Sequence, residues 1–181
     1  MKSNPHSFCR RMAGSLTARY GEETAQRVVG EGVSASASAD AKARWAAQAV
    51  GRAMAEFTPE ELPAAMAGCC CGPNAGHLKE ARDAWRESGE DLAQFVRLRN
   101  QQMQGAAGFE LRDGKLYLSY PACYCSLVKH SPLPLPLEYC LCSQEFTRRV
   151  FAQTFGRPVQ VRVLSSIKSG GQQCLFEVTL E

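Results

Sequence analysis

No apolar run in this chain approaches the roughly 18 residues that a helical membrane span requires. No basic block is longer than the pairs Arg10–Arg11 and Arg148–Arg149. The first absence argues against a membrane partner. The second leaves nucleic acid little to bind by counterion release, because the formal charge of +3 comes from 21 basic and 18 acidic residues spread along the whole chain. The sequence also lacks a Ser-His-Asp order, a phosphate-cradling glycine loop and a paired-carboxylate motif. The opening stretch from Met1 to Arg11 has no continuous apolar core of the kind a secretory signal needs, so a cytoplasmic protein is expected.

What is present fits an ordinary folded protein. An apolar share of 45% and a charged share of 22% exclude disorder, collagen and coiled coil, and 181 residues suffice for a core that needs no disulfides. Nine cysteines in a cytoplasmic setting then turn the expectation toward metal binding or redox chemistry.

The organisation predicted is α+β: a helical region over 1–104, then a cysteine-rich region over 105–181 in which hairpin, helix and hairpin build an antiparallel sheet of about four strands, the whole forming one compact unit. From Asp40 to Phe57, the residues Trp45, Ala49, Val50, Ala53 and Phe57 recur at helical spacing. Thr58-Pro59-Glu60-Glu61 reads as a capping box opening another helix. Asn74 is expected to cap a helix through Trp85, and Ser88 one that carries Leu92, Phe95, Val96, Leu98 and Met103. The Ser-Ala loop between Gly30 and Ala39 is too poor in apolar bulk to pack and is expected to be mobile.

After Gly105 the period changes. Phe109 to Tyr120 reads as a hairpin turning at Asp113-Gly114. Ser131 to Leu137, with three prolines, can only be an extended connector. Ser143 to Phe155 is an amphipathic helix stopped by Gly156. Val159 to Ile167 and Cys174 to Leu180 form a second hairpin, with Val159, Val161 and Val163 on its buried face.

Eight of the nine cysteines fall in four places: Cys69-Cys70-Cys71, Cys123-Tyr124-Cys125, Cys140-Leu141-Cys142 and Cys174. Thiolates are the ligands that zinc and iron–sulfur clusters prefer, and four of them complete a tetrahedral zinc site. In strand geometry a Cys-x-Cys pair turns both sulfurs to one face, which suits joint ligation. The candidate ligands are therefore Cys69, Cys71, Cys123, Cys125, Cys140, Cys142 and Cys174, holding zinc or an iron–sulfur cluster. The bland alternative is that each is a small buried hydrophobe. That alternative suits Cys9, beside Phe8 and Met12, and weighs equally with ligation for Cys174. His77 could join a site but reads more simply as a surface residue.

The segment Tyr139 to Ser143, continued through Phe155-Gly156-Arg157-Pro158-Val159 and Gln173 to Val178, resembles uncharacterised cysteine-rich bacterial proteins. These are related to the 4-vinyl reductase-like domain and to L-2-amino-thiazoline-4-carboxylic acid hydrolase-like proteins. The resemblance is best over about 105–181, with Cys71-Gly72 and Pro121 to Cys125 as further parts. It implies an α+β fold that binds a small molecule, as a sensor or accessory module, or a hydrolase that opens a thiazoline ring.

Three functions follow. The first is a thiolate-ligated metal protein beside a small-molecule pocket. The second is a hydrolase using a cysteine or metal-bound water. The third is a thiol-disulfide switch. The Ala-rich face around Trp45 suits a second copy of the chain as well as it suits the chain's own sheet, so a homodimer is among the expectations.

Overall fold

The computed structural model describes residues 4–181, which divide into two compact units, 4–71 with 124–142 and 72–123 with 143–181. The first unit is helical. Its elements are α1 (Ser7–Tyr20), α2 (Glu22–Val29), α3 (Ala39–Glu56) and α4 (Leu62–Met66), followed by a 3-10 turn over Ala67–Cys69. Gly21, at φ 89°, separates α1 from α2 where a side chain would be strained.

The predicted apolar face of α3 is real at Trp45, Ala49, Val50 and Ala53, all buried together with Ala46, whereas Phe57 falls past the helix end as its C-cap and is half-buried. Trp45 donates its indole N–H to the Val29 carbonyl at 3.1 Å, and Arg52 Nε donates to the Val28 carbonyl at 2.7 Å. Together they satisfy carbonyls left open at the end of α2. The ring of Phe8 meets Trp45 edge-on at 6.0 Å and stacks on Tyr139 at 5.8 Å.

Two local expectations change. The Ser-Ala loop is pinned by backbone pairing, with His6 N–H donating to Val33 at 2.8 Å and Ala35 N–H to Asn4 at 2.9 Å. The capping box forms, Thr58 N–H donating to Glu61 Oε2 at 3.0 Å and Glu61 N–H to Thr58 Oγ1 at 3.3 Å, but α4 starts only after a turn, at Leu62.

The second unit is α+β. It holds α5 (Ala75–Glu87), α6 (Leu92–Met103), β1 (Gly108–Arg112), β2 (Lys115–Tyr120), α7 (Leu141–Phe155), β3 (Val159–Ser165) and β4 (Cys174–Leu180), the division between units falling in α7 after Cys142. The four strands form an antiparallel sheet in the order β1-β2-β4-β3. Asp113 and Gly114, both at positive φ, make the predicted hairpin turn.

Strand alternation sorts the sheet into two faces. Phe109, Leu118, Phe176 and Val163 lie in one row across it, and Leu111, Leu116, Val178 and Val161 in the next. On the opposite face Glu110, Tyr117, Glu177 and Arg162 line up, with Tyr117 OH donating to Glu177 at 2.9 Å. The apolar face carries a core centred on Phe95 of α6, whose ring lies 5.7 Å from Trp85, 6.3 Å from Phe109 and 5.3 Å from Phe155.

Helix starts correct the sequence reading in one place. Asn74 caps α5 as expected, accepting from Gly76 and His77. The cap of α6 is Asp91, whose carboxylate accepts from Gln94 N–H at 2.8 Å, whereas Ser88 ends α5 and donates its hydroxyl to the Trp85 carbonyl at 2.7 Å.

Candidate functional site

The cysteines of the first unit occupy two neighbourhoods. Around Arg11 of α1 lie Cys69 and Cys71: Nε donates to the Cys69 carbonyl at 3.0 Å and a terminal nitrogen to Cys71 Sγ at 3.3 Å. Cys71 is exposed, while Cys69 is wholly buried and its thiol is pushed up to about 12, chiefly by desolvation. Gly68 makes this placement possible, because any Cβ there would overlap the Ser15 side chain on α1.

Around Tyr139 lie Cys125, Cys140 and Cys142. The phenol is hydrogen-bonded to Cys125 Sγ at 2.9 Å, and its ionisation is pushed up by burial and by the neighbouring sulfurs of Cys125, Cys142 and Cys140. Neither Cys-x-Cys pair is in a strand. Cys123 and Cys125 follow β2 in irregular chain, and Cys140 ends a 3-10 turn with Cys142 in the first turn of α7. Cys140 and Cys142 lie on a helical path, where residues two apart diverge, so they do not share a face as they would in a strand. Cys174, at the start of β4, pairs with Tyr120 in the sheet register and packs against the core. Among the described residues there is no group of three or more His, Cys, Asp or Glu side chains placed to hold a metal ion.

The second unit holds a cavity of about 330 Å³ formed by α5, α6, α7 and the apolar face of β1 and β2. Its interior is lined by buried Ala81, Phe109, Leu118, Thr147 and Phe151, with Met103, Tyr120, Phe146 and Val150 half-buried around them. Exposed His77, Glu80 and Gln102 form the rim. None of the lining residues is a cysteine.

One charged side chain reaches the interior. Arg99 is only 7% exposed, its guanidinium carbon 5.6 Å from the centroid of the Phe109 ring. It donates to Gln102 Oε1 at 2.6 Å and to Met103 Sδ at 3.4 Å, both on its own helix. Desolvation lowers its ionisation from the usual range, against the opposing field of Glu80. The strand it faces is fixed by its neighbour: Asn100 donates to the Phe109 carbonyl and accepts from the Phe109 N–H, each at 2.8 Å. Sequence reading passed over Arg99. The signal was there, because Leu92, Phe95, Arg99 and Met103 share helical spacing and put a charge on the apolar stripe.

The fold and this site define an α+β protein with a ligand-sized cavity beside a four-stranded sheet. The chain belongs to the family of unknown function DUF6144, whose model matches residues 10–181. No curated protein matches it.

Among solved structures, the phenol-responsive sensory domain of the transcription activator PoxR aligns at 9% identity and a TM-score of 0.38. The alignment covers 97% of this chain and 74% of that one. An H-NOX protein from S. oneidensis, in the Fe(II)NO ligation state, aligns at 12% identity and 0.42, covering 97% and 98%. A mutant of an H-NOX protein from the same source, in the Fe(II) state, aligns at 13% and 0.43, covering 97% and 95%. Likenesses this distant are no guide to ligand or activity.

Proposed function

We propose that this protein is a small-molecule-binding module and that its ligand, a compact and largely apolar molecule, occupies the cavity of the second unit. The carrying observation is the cavity itself: 330 Å³ walled by aromatic and aliphatic side chains with a few polar groups at defined places. Ligand pockets begin at about 300 Å³. A dry cavity of about 150 Å³ already takes benzene, so one or two fused rings suit this one. The sensor role implied by the resemblance to 4-vinyl reductase-like domains is the form of this proposal that needs least added chemistry. No cysteine lines the cavity, so a ligand held there makes no direct contact with a thiol.

Calorimetric titration and thermal unfolding with 2-naphthol, naphthalene and indole test the reading. A bound ligand at a hundred times its dissociation constant adds about 2.7 kcal/mol of stability and raises Tm. Val150→Phe, at a half-buried lining position, should weaken binding at least tenfold while leaving the ligand-free Tm close to that of the parent. Binding by none of the three probes, or binding that Val150→Phe leaves untouched, would overturn the proposal.

A further inference from the structure

The guanidinium of Arg99 is the one feature of the cavity that an apolar ligand leaves unexplained. A cation out of water is costly unless it is paired, and desolvated arginines are ordinarily found against carboxylates or phosphates. Arg99 has five N–H donors, and its two acceptors are a neutral amide oxygen and a weakly accepting thioether. Among the described residues no carboxylate forms an ion pair with it; Glu80 acts on it only through its field.

Gln102 and Met103, three and four residues on in α6, hold the head in place from one side. Phe109 lies 5.6 Å away. A positioned guanidinium of this kind is organised to receive a planar, two-oxygen anion, since its fork matches a carboxylate and little further ordering is required.

We infer that the ligand is an apolar carboxylate: its hydrocarbon body lies against Phe109, Leu118 and Phe151, and its anionic group is received by the remaining N–H donors of Arg99. This rests on the cavity being the binding site. Glu80, exposed at the rim, then acts against the ligand's charge and sets a limit on affinity.

The test compares 2-naphthoate with its uncharged isostere 2-naphthamide by calorimetric titration at low ionic strength. The carboxylate should bind the parent protein about tenfold more tightly or better, the range of a charge-assisted hydrogen bond. Arg99→Gln should bring the ratio to about one by weakening the carboxylate alone. Glu80→Gln, at the exposed rim, should raise the ratio several-fold by strengthening carboxylate binding. Equal binding of the two probes to the parent, with no response to Glu80→Gln, overturns the carboxylate inference and leaves the cavity reading standing. If neither probe binds the parent, both fail together. Should Arg99→Gln not fold, the Glu80→Gln ratio decides.

Discussion

At the scale of single residues, Cys69 and Cys71 show how two cysteines two positions apart acquire opposite accessibility. Cys69 is 0% exposed and its thiol ionises only at about 12, whereas Cys71 is exposed beside a guanidinium. Thiolate is the reactive form and access is a condition of reaction. Iodoacetamide on the folded protein should therefore label Cys71 early and Cys69 only after unfolding; peptide mass spectrometry that finds Cys69 modified first would contradict the placement.

The same shift has a consequence for stability. Below about pH 9 the Cys69 thiol is protonated in both folded and unfolded chains, so its contribution is whole. As pH rises from the ordinary 9.0 toward about 12 only the unfolded chain releases the proton, and stability falls. Cys69→Ala should flatten that alkaline fall in denaturant titrations. Tyr139, 2% exposed, stacks on Phe8 and bonds Cys125. Tyr139→Phe keeps the stack and should cost about 0.5–1.5 kcal/mol, while Tyr139→Ala opens a cavity and should cost about 3–5 kcal/mol in the same measurement.

At the scale of elements, the parts of the fold that follow from short-range chemistry were legible in the sequence. The Asp113-Gly114 turn, the Asn74 cap and the alternation of Val159, Val161 and Val163 each depend on residues within a few positions, so local pattern suffices. The cap of α6 was misread because Ser88 and Asp91 are both good capping residues. What decides is that the Ser88 hydroxyl is taken by the Trp85 carbonyl. Asp91→Ala should accordingly cost about 0.5–2 kcal/mol, and equilibrium unfolding that finds Ser88→Ala alone destabilising α6 would reverse the assignment. Gly68 had no sequence signal at all, since its role is to let the 3-10 turn before Cys70 press on Ser15 of α1. Gly68→Ala should cost about 1–3 kcal/mol as overpacking, read from the shift in unfolding midpoint.

At the scale of the molecule, the site was only partly readable. The change of period near residue 105 marks where strands begin. The compact units are set instead by contacts between distant segments, such as Ser131 donating to Asp40 at 2.7 Å, which no local pattern announces. The thiols drew the eye because cysteine chemistry is written in residue type. The cavity is made by the spacing of α5, α6 and α7 over the sheet, which is not written there, and only Arg99 on the apolar stripe of α6 betrayed it. The most direct measurement is an NMR structure analysis of the full chain with bound 2-naphthol. Intermolecular nuclear Overhauser contacts are expected from the ring protons to Ala81, Leu118, Phe109 and Phe151. Contacts confined to side chains outside that set would contradict binding in the cavity.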